Sequence, residues 1–166
     1  MHHDAASGPE EGPTVTADSD PEGGSGGSGG AGGGHGGGHG GGHGDGRLVL
    51  VIEDEPNISE AIRFILRRDG WRVETHSDGS DALARIEATR PDLVILDVML
   101  PGRSGFDILQ VLRGHALLRA LPVIMLTAKG QTAEREMALR AGASLFMAKP
   151  FANAELLAAA RQLVGV

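Results

Sequence analysis

Polar residues stand at the ends of four apolar runs in this sequence. Glu53-Asp54 follows Leu48-Val49-Leu50-Val51-Ile52, Asp97 follows Leu93-Val94-Ile95-Leu96, Thr127 follows Val123-Ile124-Met125-Leu126, and Lys149 comes shortly after Leu145-Phe146-Met147. Asp54 and Asp97 offer hard oxygen ligands. With no Cys or His among them the donor set favours Mg2+ or Mn2+. Lys149 and Thr127 add an ammonium and a hydroxyl for an anion, so that the set suits a phosphoryl group carried on an acceptor oxygen. Glu53-Asp54-Glu55 places three carboxylates in succession. Their repulsion is small in solvent and costly in a crevice unless a cation is present. Any one of these residues alone is ordinary turn, cap or surface chemistry; the recurrence at strand ends is the signal.

That chemistry requires elements that bring the four positions together. Unbroken runs of β-branched and aliphatic residues are strands buried on both faces, the habit of a parallel sheet. Leu48–Ile52, Leu93–Leu96, Val123–Leu126 and Leu145–Met147 read this way, and Trp71–Thr75 alternates as a partly exposed strand would. Trp71 reads as an anchor at the helix-strand edge. Between the strands fall helical stretches. Pro56-Asn57 opens the first, with Ile58, Ala61, Ile62, Ile65 and Leu66 as its apolar face, and it ends near Asp69-Gly70. The others are expected over Ser80–Ala88, about Gly105–Arg113 with Phe106, Leu109 and Leu112 inward, about Thr132–Leu139, and Glu155–Val164. Strand and helix alternate five times with short loops, which predicts a parallel sheet coated on both faces. Every strand of such a sheet ends on the same edge, where an open α/β sheet keeps its binding crevice.

The 166 residues have room for one ordinary domain, and their charge is unevenly spread. Residues 1–46 hold seven acidic residues and no Lys or Arg, whereas 47–166 hold fifteen of each sign. The net charge of −7 therefore belongs to the first part. The neutral remainder has no basic stripe, which gives no support for direct nucleic-acid binding. No apolar stretch approaches the length of a membrane span, and no basic-then-apolar leader is seen, so the expected location is cytoplasmic. The absence of Cys excludes disulfides, thiolate metal sites and thiol catalysis. From Gly23 to Gly46, 17 of 24 residues are Gly, and residues 1–46 are expected to form a disordered tail. His35, His39 and His43 recur within GGGH repeats there. The intervening glycines disfavour a helix by roughly 1 kcal/mol each, so a spacer, solubilising arm or low-complexity expansion is expected in place of a preformed metal site, with weak, adaptable binding of Zn2+, Ni2+ or Cu2+ the alternative.

The phrases Val51-Ile52-Glu53-Asp54-Glu55, Leu96-Asp97-Val98-Met99-Leu100-Pro101-Gly102, Thr127-Ala128 and Lys149-Pro150-Phe151 resemble those of response-regulator receiver domains of two-component systems. The resemblance covers about residues 47–166. It implies a flavodoxin-like/CheY-like (βα)5 doubly wound sheet in the order 2-1-3-4-5. It further implies a phosphoryl group passed from a histidine kinase or phosphotransfer protein to Asp97. Glu53 and Asp54 match the family's acidic pair, Glu53 acting through water. Met99 matches the position lending a backbone carbonyl to Mg2+, Thr127 the switch hydroxyl, Lys149 the site lysine, and Phe146 the aromatic that turns on activation.

Ala143-Ser144-Leu145 departs from the acidic residues that many DNA-binding relatives use in cross-dimer ion pairs. The expected protein is a stand-alone receiver, a phosphoacceptor with autophosphorylation and dephosphorylation chemistry in place of a classical enzyme, that signals by docking an unknown downstream protein. A Mg2+-dependent phosphatase-like hydrolase with Asp97 as nucleophile is the rival. Met99 stands two residues after Asp97, where such enzymes commonly need a further acid, and the loops are short for a substrate cap. A receiver that docks partners without phosphate is the third reading, and the complete acidic, Thr and Lys set argues against it.

Overall fold

The computed structural model describes residues 44–128 and 132–166. The tail expectation for residues 1–43, with His35, His39 and His43, lies outside them. Strands Leu48–Ile52 (β1), Arg72–His76 (β2), Leu93–Asp97 (β3), Val123–Thr127 (β4) and Leu145–Ala148 (β5) pair in parallel in the order β2-β1-β3-β4-β5. Helices Pro56–Arg68 (α1), Ala82–Thr89 (α2), Gly105–Gly114 (α3), Thr132–Arg140 (α4) and Asn153–Val164 (α5) follow the strands in turn. The fold is the parallel sheet coated on both faces that the alternation predicts, in the doubly wound order 2-1-3-4-5 that the resemblance implies.

The three central strands are buried at every position because helices cover both faces. Alternation then sorts their side chains. Val49, Val51, Leu93, Ile95, Ile124 and Leu126 pack with Ile62 and Leu66 of α1 and Leu156 of α5. Leu50, Ile52, Val94, Leu96, Val123 and Met125 pack on the other face with Ile86 of α2 and Ile108, Leu109 and Leu112 of α3. Each such aliphatic side chain contributes about 1.5–3 kcal/mol relative to exposure, so the two layers fix the register that aligns the strand ends.

Several boundaries differ from the expectation for reasons of hydrogen bonding. α2 starts at Ala82 and not Ser80, because the Ser80 N–H (2.7 Å) and hydroxyl both donate to Asp78 Oδ1 and hold a turn there. On α1, Ala61 faces solvent, and Ser59 is buried in its place with its hydroxyl donating to the Pro56 carbonyl at 3.1 Å. Gly44–Gly46, assigned to the tail on composition, form a turn joined to the body: Gly44 N–H donates to the Asp69 carbonyl (2.8 Å) and Gly46 N–H to that of Gly70 (3.0 Å). Gly44 lies so close under Trp71 that a Cβ there would sit 2.5 Å from the ring's Cγ. Trp71 is the anchor the sequence suggests, buried in the core with its indole N–H donating to Asp69 at 3.1 Å.

Candidate functional site

Parallel pairing sets the first two acidic positions side by side. Ile52 is registered with Leu96, so the chain leaves β1 at Glu53 beside Asp97 at the end of β3. Carboxylate oxygens of Glu53, Asp54 and Asp97 lie within 4.8 Å of one another. Lys149, beyond β5, reaches across the edge of the sheet: its Nζ lies 3.0 Å from Glu53 Oε2 and 3.1 Å from Asp97 Oδ2. The second oxygen of each buried carboxylate accepts from the backbone, Glu53 Oε1 from the Glu55 N–H and Asp97 Oδ1 from the Met99 N–H, both at 3.1 Å. Glu53 and Asp97 are 2% exposed, whereas Asp54 faces solvent. The start of α3 packs directly on this edge. Gly105 N–H donates to the Val98 carbonyl (2.9 Å), and a Cβ on Gly105 would fall 2.1 Å from the Asp97 carbonyl oxygen, so only Gly permits the approach.

The charges do not balance. Burial pushes the Glu53 carboxyl up from 4.5 to about 7; hydrogen bonds from the Glu55 backbone and Lys149 offset part of this, and the neighbouring Asp97 adds to it. Burial acts to lower Lys149, but hydrogen bonds to Glu53 and Asp97 outweigh it and hold the ammonium above its ordinary value. Among the described residues Lys149 thus meets Glu53 and Asp97 of the three clustered carboxylates, with Glu55 a further 4.0 Å contact. An oxygen-only, net negative donor set of this kind fits a hard divalent cation such as Mg2+ or Mn2+. A cleft of about 290 Å³ lined by Glu53, Asp54, Pro56, Ser59, Thr75, His76 and Ser77 opens beside it. A larger cavity, about 560 Å³, lies elsewhere, at the C-terminal ends of α2 and α3, and its lining holds no carboxylate cluster.

Two further expected residues lie on β4 and β5. Thr127 ends β4, buried, and its hydroxyl donates to Glu134 of α4, while its carbonyl accepts from the Lys149 N–H at 2.7 Å. Phe146 lies on β5 registered with Met125, half-buried against the layer of α2 and α3. Sequence reasoning did not single out His76 or Glu134. His76 ends β2 on the same edge, its carbonyl accepting from the Glu53 N–H (3.0 Å) and its Nε2 lying 2.6 Å from Asp81 Oδ1. The polar end of β2 was the available signal. Nothing in the sequence pairs Glu134 with Thr127.

Residues 49–161 match the family of response regulator receiver domains. The chain belongs to that family. As a receiver domain it is 43% identical over 116 residues to a probable transcriptional regulatory protein, TcrX, of Mycobacterium tuberculosis, covering 70% of this chain and 49% of that protein. It is 41% identical over 113 residues to the DNA-binding response regulator MtrA of Mycolicibacterium smegmatis, covering 68% and 48%. The receiver chain therefore spans about half the length of these curated relatives. A putative response regulator from Chloroflexus aurantiacus superposes with a TM-score of 0.70 at 32% identity, covering 73% of this chain and 99% of that one. The receiver domain of a sensor histidine kinase from Pseudomonas aeruginosa, with a magnesium ion coordinated in its active site cleft, gives 0.68 at 34% identity over 73% and 99%. The acidic cluster of this receiver is positioned as in phosphoacceptor sites, an arrangement consistent with phosphorelay signalling. Among the described residues no helix is long and apolar enough to cross a membrane.

Proposed function

We propose that residues 47–166 act as the receiver of a cytoplasmic phosphorelay in which Asp97 accepts the phosphoryl group of a histidine kinase or phosphotransfer protein and an unidentified downstream protein reads the result. The observation that carries this reading is the buried Asp97 carboxylate held between Lys149 Nζ (3.1 Å) and the Met99 N–H (3.1 Å) at the edge of the acidic cluster. A carboxylate oxygen of Asp97 attacks phosphorus, the P–N bond of the donor phosphohistidine breaks, and its electron pair leaves with the imidazole nitrogen, which takes up a proton. Water later attacks the same phosphorus, the P–O bond to Asp97 breaks, the carboxylate is regenerated with the bond's electron pair, and inorganic phosphate is released.

Lys149 neutralises charge on the phosphoryl oxygens from one side. Asp54 and Asp97, with Glu53 through water and the Met99 carbonyl, are the ligands proposed for Mg2+. That ion would supply neutralisation from the other side. Thr127 offers a hydroxyl to the transferred group, and Phe146 turns into the space that Thr127 leaves. Incubation of the full chain with Mg2+ and acetyl phosphate, followed by intact mass and peptide mapping, tests the reading. One phosphoryl group on Asp97, labile to hydroxylamine and absent with EDTA, is expected; modification elsewhere would overturn it. Turnover of a generic phosphomonoester would instead favour a hydrolase.

A further inference from the structure

The two ends of α4 are fastened differently. Beyond its C-terminus, the half-buried Arg113 of α3 donates from Nε to the Gly142 carbonyl (2.7 Å) and from Nη1 to the Leu121 carbonyl (2.8 Å), tying the turn after α4 to the segment before β4. Ala143 N–H closes that turn on the Ala138 carbonyl at 2.9 Å. At the other end, Glu134 in the first turn accepts the hydroxyl proton of Thr127. Between these ties α4 buries only Ala138 among its described residues, and Met137 and Leu139 are 55% and 50% exposed. α3 buries Gly105, Ile108, Leu109 and Leu112 over a similar length. A helix with so little apolar burial opens and shifts readily, and its polar ties decide where it rests.

We propose that Glu134 is a positioning residue for the receiver switch: it holds the Thr127 hydroxyl, and with it the first turn of α4, in the phosphoryl-free arrangement, and it competes with a phosphoryl oxygen on Asp97 for that hydroxyl. This rests on the phosphoacceptor reading of Asp97. Thr127 has one hydroxyl proton to donate. Giving it to the phosphoryl group means withdrawing it from Glu134, so the same event that satisfies the modified Asp97 releases the N-terminal end of α4 while Arg113 retains the other. Glu134 thereby lowers the population competent to bind a phosphoryl group, and apparent affinity falls by that fraction.

The test compares the full chain with Glu134→Ala and Glu134→Gln, each alone and with Thr127→Val. Glu134→Ala should speed hydrogen exchange of the amides of residues 136–140 by roughly tenfold without phosphate present, leave α3 and α5 unchanged, and raise affinity for beryllium fluoride with Mg2+ by about 3- to 10-fold. Glu134→Gln retains an acceptor oxygen and should restore most of the protection. In the Thr127→Val background Glu134→Ala should change neither quantity. Unchanged exchange and affinity in Glu134→Ala, or an equal gain without the Thr127 hydroxyl, would overturn the proposal while leaving the phosphoacceptor reading intact. Failure of the wild-type chain to bind beryllium fluoride would overturn that reading and the switch with it.

Discussion

At the amino-terminal edge of the sheet, charged side chains close the structure. Asp69 accepts from the Trp71 indole (3.1 Å) and from Arg161 Nε (3.0 Å), Asp92 accepts the Leu48 N–H (2.7 Å), and Arg47 donates to the Val164 carbonyl (2.8 Å). At the carboxyl-terminal edge the described acidic groups stand in surplus: Glu53, Asp54 and Asp97 cluster together, Lys149 pairs with Glu53 and Asp97, and burial pushes the Glu53 carboxyl up to about 7. At the amino-terminal edge, charged groups satisfied by hydrogen bonds or by an ion pair serve the fold. Surplus acidic charge, buried at Glu53 and Asp97, is the usual setting of perturbed groups at functional sites. The difference yields predictions that can break it.

Removing Lys149, the ammonium paired with Glu53 and Asp97, should have the largest effect of the three. Lys149→Met leaves Glu53 and Asp97 without their common donor and leaves an incoming phosphoryl group without its partner. Labelling by acetyl phosphate should slow by roughly 10- to 100-fold, measured as initial rate by intact mass. A rate within twofold of wild type would mean that Lys149 serves only the fold.

The pH response should mark the acidic edge next. Glu53 has its carboxyl raised from 4.5 to about 7, so between those values the folded protein binds a proton that the unfolded chain has released. This contribution to stability is fully present below pH 4.5 and is lost as pH rises through 7, at up to about 1.4 kcal/mol per pH unit in the metal-free protein. Chemical denaturation at pH 5, 6, 7 and 8 should show the decline, and Glu53→Gln should flatten it. Mg2+ affinity should move the opposite way, rising from pH 6 to 8 as Glu53 gives up its proton. A calorimetric affinity independent of pH would contradict the raised carboxyl.

The smallest effect belongs to the amino-terminal edge. Gly44→Ala forces a Cβ to within 2.5 Å of the Trp71 ring, and the turn must shift. About 1–2 kcal/mol of stability should be lost, with a change in Trp71 emission and no change in labelling. Unaltered emission would show that the Gly44–Gly46 turn is not seated under Trp71.

The central strands were legible because burial on both faces leaves no room for a polar residue, as in Leu48–Ile52 and Leu93–Leu96. Asp54, Asp97 and Lys149 were legible for a related reason: a charge at or just beyond the end of an apolar run lies at the strand end, and a parallel sheet brings those ends together. Local hydrogen bonding was hidden. Asp78 delays α2 by capturing Ser80, and no propensity distinguishes that from a helix starting at Ser80. Glu134 lies seven residues beyond Thr127 across a connection, a spacing that matches no strand or helix period. The turn at Gly44–Gly46 was masked by its glycine-rich composition, although the closeness of Trp71 is what makes Gly44 necessary there.

The contrast between the edges is tested most directly by measuring phosphoryl labelling and thermal midpoint on the same two variants. Asp97→Asn keeps the size and an acceptor oxygen while removing one of the clustered charges; it should lose labelling and keep its midpoint within about 2 °C of wild type. Asp69→Asn weakens the pairing with Trp71 and Arg161. It should lower the midpoint by roughly 5–10 °C and label normally at 20 °C. Labelling that persists in folded Asp97→Asn, or that is lost in folded Asp69→Asn, would contradict the assignment of phosphoacceptance to the carboxyl-terminal edge.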